Sequence, residues 1–530
     1  MHRFSTICLA ASILMLGFSL PVNARHTIPV EKGEKWWGGF VAKGVEMPYK
    51  AGGETYNLKL VNYNNQSAPL LLSSHGRYIW SEQPFEYRFT DDNTIEIADD
   101  IDIDITRAGK TLREAYLDAS ARHFPFTGTI PDEIFFAKPQ YNTWIELNYN
   151  QNQRDIMAYA DSIIANGYPT GIFMIDDNWQ RYYGNFDFKA ERFPSPTAMC
   201  DSLHDMGFKI MVWIPPFVSA DSREGNAMRW KEYLVKNADD KPAIIEWWNG
   251  FSAAVDLTNP QAAEHFRGKL LDAMERYHID GYKFDAGDIE IMSKAPCGYA
   301  DSTATDHDYA RLWAEFGGQF KYNELRSAWK AGGKPIVQRL GDKDYAWHSL
   351  HQLVADAISA GLLGYAYCCP DMIGGGMLHT FMNADGPFDE ELFIRSCQIH
   401  AMMPMMQFSA APWRVLSPEG VKICADYARR HADLGEYITA AARHAAATGE
   451  PIVRHMEYAF PGQGFEECST QYMLGDKYLI APMLEPGTTR TVKLPQGKWR
   501  DDLGTIHRGG QTITINVPLT RIPTFEQISK

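Results

Sequence analysis

Cysteine is scarce in this chain of 530 residues: there are 8, and once Cys8 near the start is set aside the remainder form an odd, scattered set. That spacing excludes a disulfide framework and a paired-cysteine zinc site, so most of these thiols are expected to be buried, with Cys368–Cys369 in a core strand. Other metal ligands are equally thin. The 16 histidines are dispersed, no His-Glu-x-x-His run occurs, and no metal is expected. The Met402–Met403 and Met405–Met406 pairs read as packing in a buried helix rather than as a soft-metal patch. Positive charge is in deficit, with 51 Lys plus Arg against 66 Asp plus Glu and a formal net charge of −15. No basic stretch offsets it, which excludes nucleic acid as a partner. No apolar run reaches the roughly 20 residues needed to cross a bilayer, so no transmembrane segment is expected. There is no internal repeat and no low-complexity segment. The run Gly374–Gly376 lacks the Lys and Ser/Thr of a phosphate-binding loop and the spacing of a dinucleotide fingerprint, and reads as a close-packed loop; no cofactor is implied.

What is present begins with a leader. His2–Arg3, an apolar run from Ile7 to Leu20 and Val22–Asn23–Ala24 form the charged, hydrophobic and small-residue pattern of a secretory signal. The expectation is a signal peptide over 1–24 and a secreted or periplasmic protein. Residues 25–132 alternate with period two, as in Asn57–Leu58–Lys59–Leu60–Val61 and Thr94–Ile95–Glu96–Ile97, with turn residues between, and read as an N-terminal β-sandwich. Over 133–448 short apolar runs such as Gly171–Ile175 and Lys209–Trp213 alternate with helical stretches; one of these sets Ile156, Ala160, Ile163 and Ile164 on a single face. Strand then helix over about 300 residues points to an α/β fold with a (β/α)8 barrel, finished by a helix over Val421–Ala447. Residues 449–530 return to strands, including Thr491–Leu494 and Thr512–Ile515, and read as a small C-terminal β-domain.

A barrel builds its active site where the strands end. Here several apolar runs end in carboxylates and large aromatics: Asp176, Asp177, Trp213, Asp285 after Lys283, Asp342 after Arg339, and Asp371. Together with 13% aromatic residues overall, a mouth lined by Asp and Trp suits a neutral polyhydroxylated substrate, an oligosaccharide or glycoside, because carboxylates accept hydroxyl hydrogen bonds while indoles pack on C–H faces. Retaining glycoside hydrolysis needs two carboxyl groups about 5–5.5 Å apart, one to attack and one to protonate the leaving oxygen. Asp285 and Asp342 are the natural pair. In a strand Lys283 and Asp285 share the barrel interior while Phe284 faces the helices, and the cation keeps the carboxylate ionised. Asp344 is a rival for the role of Asp342. The segment from Lys294 to Asp308 is expected to lie near the site on its aglycone side.

At these motifs the sequence resembles glycoside hydrolase family 31, the retaining α-glycosidases. The matching segments are Asp280–Asp288 (Asp-Gly-Tyr-Lys-Phe-Asp-Ala-Gly-Asp), Met174–Asp177, Arg192–Pro194, Leu203–Lys209, Trp248-x-Gly250, Asp256–Pro260, Asp371–Gly375, Met473–Asp476, Ala481–Pro482 and Leu494–Trp499. The resemblance implies that Asp285 is the nucleophile and Asp342 the general acid/base. It implies that Asp176, Trp213, Trp248, Lys283, Arg339 and Asp371 line the subsite for the non-reducing sugar, with Asp177 a further candidate there. Two departures stand out. The family's Trp-x-Gly-Asp before the acid/base is here Arg339–Leu340–Gly341–Asp342, and its Arg-Ser-His is here Met406–Gln407–Phe408–Ser409. Both departures resemble the branch that contains the myogenesis-regulating glycosidase and related bacterial enzymes, which implies an α-galactoside as first substrate. An α-glucosidase or α-xylosidase is the alternative, and a non-catalytic carbohydrate-binding protein the second.

Overall fold

The computed structural model describes residues 26–295, 297–382 and 388–529; the leader expected over 1–24 lies outside them. At the centre are eight parallel strands, β1 (Gln140–Asn142), β2 (Ile172–Ile175), β3 (Lys209–Ile214), β4 (Gly281–Phe284), β5 (Tyr322–Leu325), β6 (Gln338–Arg339), β7 (Cys368–Cys369) and β8 (Gln407–Phe408). Their order is β8-β1-β2-β3-β4-β5-β6-β7, so chain neighbours from β1 to β7 are sheet neighbours and β8 returns to pair with β1. The two end strands are brought together by single contacts, the Ile373 N–H on the Gln407 carbonyl at 2.8 Å and the Gln407 amide on the Cys369 sulfur at 3.6 Å. The sheet is thus a nearly closed barrel. Strands such as Ile172–Phe173–Met174–Ile175 are buried at every position, as a parallel strand covered on both faces must be.

Helices α1 (Gln153–Ala165), α2 (Pro196–Asp205), α3 (Pro260–Tyr277), α4 (Asp306–Gly317), α5 (Trp347–Leu362), α6 (Glu390–Ala401) and α7 (Pro418–Thr448) form the outer ring. The β5-to-β6 connection lacks a helix. It carries instead the short strand Ala328–Trp329, which runs parallel to Gln66–Ser73 and so joins a sheet of the N-terminal region. That region holds two sheets; their antiparallel strands include Trp36–Phe40, Gln66–Ser73 and Arg77–Trp80 in one and Glu86–Phe89 and Thr94–Ile97 in the other. Between β3 and β4 a three-stranded antiparallel flap, Phe217–Val218, Ile244–Trp247 and Gly250–Ala254, rises over the barrel. After α7 a six-stranded sheet and a two-stranded ribbon enclose a separate small core around Phe465, Trp499 and Phe525.

Local chemistry explains where the alternating pattern misleads. The strand expected over Asn57–Val61 is only Tyr56–Asn57, because the Asn57 side chain accepts the Lys59 N–H at 2.9 Å and turns the chain, leaving Leu58 buried and Leu60 exposed. On α1, Ile156, Ala160 and Ile163 are buried but Ile164 is exposed. The Met402–Met406 cluster is fully buried, yet it is not helical: α6 stops at Ala401, and Pro404 prevents its continuation into β8. Cys368 and Cys369 are β7 itself and are buried, as expected.

His400 on α6 is fully buried, and neither ring nitrogen has a hydrogen-bond partner. Burial, with the neighbouring His431, pushes His400 down to about 3, and burial pushes His431 to about 4. Both are held neutral in the fold but protonate near 6.5 once unfolded. Their contribution is therefore complete above about pH 6.5 and is lost as pH falls, by up to about 1.4 kcal/mol per unit and per histidine. Thermal unfolding followed between pH 7 and 4.5 should show a steep fall in Tm that His400→Leu makes shallower; an unchanged slope would refute this account.

Candidate active site

A cavity of about 1000 Å³ opens at the C-terminal ends of the barrel strands. Of the residues singled out in the sequence, Asp176, Asp177, Trp213, Trp248, Lys283, Asp285, Arg339 and Asp342 line it. Asp371 does not, and Asp344 is also absent from the wall.

Asp285 follows β4. Lys283 and Asp285 face the cavity, while Phe284 points outward against Trp313 and Phe320, with ring centroids 5.1 and 5.5 Å away. The Trp213 indole N–H donates to Asp285 Oδ2 at 2.8 Å, and Oδ1 accepts from Arg326 Nε at 2.7 Å and from the Ala286 N–H at 2.9 Å. Burial alone would push this carboxyl up, but the charges of Arg326, Lys283 and Arg339 and the Trp213 bond outweigh it and hold Asp285 well below the usual carboxylate range. Arg326 is the largest of these influences, and it was not among the residues drawn from the sequence. Its other nitrogens pair with Asp288 at 2.8 and 3.1 Å, and its guanidinium lies 5.4 Å from the centroid of Trp248. It immediately follows β5, Tyr-Asn-Glu-Leu, whose buried polar residues hide the strand, so the rule of a polar residue ending an apolar run skips it. Lys283 reaches Asp176 directly, Nζ to Oδ2 at 2.7 Å, and acts on Asp285 through space.

Asp342 stands beyond the short β6. Its Oδ1 accepts from Arg339 at 2.6 Å, and about a third of its side-chain surface is open to the cavity. Burial and the charge of Asp285 oppose its ionisation, while Arg339, Arg326 and Lys283 favour it and prevail, leaving the carboxyl below its ordinary range. Asp371 serves behind the wall. Fully buried, it accepts the Lys343 N–H at 2.7 Å, the Gly376 N–H at 3.0 Å and a guanidinium hydrogen of Arg339 at 3.1 Å. It shapes the loop and orients Arg339, and it does not line the cavity, where the resemblance implied a sugar contact. The Gly374–Gly376 run is the close-packed loop expected of it: at Gly375, with φ +90°, a Cβ would lie 2.3 Å from the Lys343 carbonyl oxygen.

Asp177 is nearly dry. Burial and the adjacent Asp176 push it up to about 7, against the Asn178 N–H, Tyr183 and Asn249, which all donate to it. Near neutral pH it is therefore shared between a form that accepts from a hydroxyl and one that donates to it. Trp248, 47% exposed, caps the flap beside Arg326 and offers an apolar face.

The far side of the mouth differs from expectation. None of the described residues of 294–308 lines the cavity; Gly298 bridges to Lys236 and the Ala300 N–H donates to Asp256. That side is built instead by Lys43 and Glu46 of the N-terminal 3-10 helix Val41–Glu46, by Tyr63–Asn65, and by Met377–His379 and Met382. The signal was invisible in sequence because Lys43, Glu46 and Tyr63–Asn65 stand some 220 to 242 positions before Asp285, and Met377–His379 and Met382, some 92 to 97 positions after it, form no recognisable motif.

Comparison with known proteins agrees with this geometry. The model of the glycosyl hydrolases family 31 TIM-barrel domain matches residues 137–439, and that of the family's C-terminal domain matches residues 449–527. The myogenesis-regulating glycosidase of Mus musculus is 32% identical over 396 residues, covering 72% of this chain and 55% of that protein. The 1,3-alpha-isomaltosidase of Kribbella flavida is 27% identical over 421 residues, with the same 72% and 55% coverage. The chain thus spans about half the length of these relatives. The dextranase of Flavobacterium johnsoniae complexed with glucose shares the fold, with a TM-score of 0.79 at 19% identity, over 94% of this chain and 66% of that one. With one family model covering more than half of its length, the chain belongs to glycosyl hydrolase family 31.

Proposed function

We propose that this protein is an exported retaining α-glycosidase that removes terminal non-reducing α-linked sugars, with an α-galactoside as its first substrate. The observation that carries the reading is the state of Asp285: a buried carboxylate kept charged by Arg326, Lys283, Arg339 and the Trp213 indole, in a cavity that also exposes a second carboxyl, Asp342. A charged, desolvated carboxylate is what nucleophilic attack on an anomeric carbon requires. In this mechanism Asp342, ionised in the empty site, takes up a proton as bound substrate covers its open edge and desolvation favours the neutral acid; Asp285 then forms the new C–O bond as the glycosidic C–O bond breaks, and Asp342 gives that proton to the departing oxygen. The glycosyl ester removes the negative charge of Asp285, one of the two influences that oppose ionisation of Asp342, so once the leaving group departs Arg339 again holds Asp342 ionised. In that state Asp342 takes the proton of an attacking water, the ester C–O bond breaks, and the sugar leaves with its configuration retained.

Support for the α-galactoside comes from Arg339–Asp344, Pro370–Gly375 and Phe408–Trp413, which resemble the branch departing from the family's glucosidase pattern. The alternative, an α-glucoside or α-xyloside, is favoured by relatives named 1,3-alpha-isomaltosidase and alpha-xylosidase. Export rests on the leader pattern of residues 1–24.

Hydrolysis of nitrophenyl α-galactoside, α-glucoside and α-xyloside, with the product anomer followed by NMR, separates the readings. Galactoside cleavage releasing the α-anomer is expected; preference for glucoside or xyloside would transfer the substrate to the alternative, and failure to cleave any by folded protein would favour a carbohydrate-binding role. Asp285→Ala should lower kcat by at least about 10⁴, since a nucleophile contributes many factors of ten; a loss under tenfold would refute its assignment. Because the acid limb of kcat/KM reports the ionisation of the free enzyme's nucleophile, Arg326→Gln should move that limb to higher pH. An unmoved limb would remove Arg326 from the account.

A further inference from the structure

We infer that Lys343 and Asp356 form a buried positioning unit for Asp342, keyed to the N-terminal 3-10 helix through Gly44; the inference rests on the reading of Asp342 as the acid/base. Asp342 sits between two residues whose backbones are held by one side chain and its partners. The Lys343 ammonium donates to the Gly341 carbonyl at 2.8 Å, on the near side of Asp342. On the far side the Lys343 N–H is taken by Asp371 at 2.7 Å, and the Lys343 carbonyl accepts the Met377 N–H at 3.1 Å. The ammonium in turn pairs with Asp356 Oδ2 at 3.0 Å. Asp356 is fully buried in the middle of α5 and does not line the cavity, so it reaches the reaction only through what it holds.

What else it holds is the N-terminal wall of the cavity. The Gly44 N–H donates to Asp356 Oδ1 at 3.3 Å, in the centre of the 3-10 helix whose Lys43 and Glu46 face the cavity. The approach is so close that a Cβ on Gly44 would lie 2.4 Å from both the carbonyl carbon and oxygen of Ala355 and 2.7 Å from the Asp356 nitrogen, all backbone atoms of α5. One buried carboxylate thus fixes two things that must agree: where the acid/base stands, and where the wall that receives the leaving group stands. A buried charge keeps its partner rigidly, since separation would strand both without solvent.

A positioning role predicts selectivity by leaving group, because protonation matters for a poor leaving group and not for one that departs as a stable anion. For the sugar that the wild type hydrolyses, kcat/KM is measured on the dinitrophenyl and the methyl α-glycoside, with folding checked by circular dichroism melts. Asp342→Ala sets the scale, with a large loss on the methyl glycoside and a small one on the dinitrophenyl glycoside. Asp356→Asn should lower the methyl reaction by about 10²-fold, the lower range of acid catalysis, and the dinitrophenyl reaction by less than about threefold; Gly44→Ala should show the same selectivity to a lesser degree and decides the matter if Asp356→Asn does not fold. Equal losses on both substrates, or none, in folded variants would overturn the inference while leaving Asp342 as acid/base. An Asp342→Ala variant without leaving-group selectivity would overturn the reading of Asp342, and the inference with it.

Discussion

The site depends on pairing buried cations with buried carboxylates. Four cations sit in or behind the cavity wall, each almost fully buried: Lys283 on Asp176, Arg326 on Asp285 and Asp288, Arg339 on Asp342, Asp371 and Glu324, and Lys343 on Asp356. An isolated charge in such a place would be expelled or neutralised, and a pair survives only with good geometry and further hydrogen bonds. The array supplies most of those bonds, with Arg339 Nε, Glu324 Oε1 and Asp356 Oδ2 held by charge alone. It also divides labour among the acids: Asp285 is outweighed by cations and charged, Asp288 and Asp371 are pushed up to about 6 by burial, and Asp177 to about 7. Acids of one chemical type thereby acquire different proton affinities in and just behind one cavity wall, a perturbation that clusters at functional sites.

The N-terminal region is part of this machinery. Where the barrel omits a helix after β5, Gln66 of the N-terminal sheet places its amide on the Arg326 carbonyl and, at 2.8 Å, on the Arg339 carbonyl, bridging the ends of β5 and β6. Asn64 accepts from Arg326 at 3.0 Å through its carbonyl, and its N–H donates to Glu290 at 2.7 Å. The two arginines that govern Asp285 and Asp342 are thus anchored by residues outside the barrel, so the region that narrows the mouth also sets the electrostatics below it.

Much of this was legible in the chain. Apolar runs ending in carboxylates identify β2 and β4 directly, and Ile336–Val337 just before β6 points to the third; together they place Asp176, Asp285 and Asp342 around one cavity. Arg326 escaped because β5 is itself polar, with Asn323 and Glu324 buried inside the barrel. Asp371 was legible as a strand-ending acid but not as one turned to the backbone, since its position depends on the loop glycines that crowd Lys343. The N-terminal wall of the mouth was illegible for a different reason: Lys43, Glu46 and Tyr63 are ordinary residues of a β-rich region until the missing β5–β6 helix lets that region close on the mouth. Sequence pattern reports what a residue does within its own element, and these contacts arise between elements far apart in the chain.

The central claim is that Asp285 becomes covalently bonded to the sugar. Incubation with 5-fluoro-α-galactosyl fluoride and its glucosyl counterpart, followed by intact-protein mass spectrometry and peptide mapping, tests it directly. The account predicts one glycosyl adduct, located on Asp285; an adduct on any other residue, or turnover with inversion and no adduct, would contradict it.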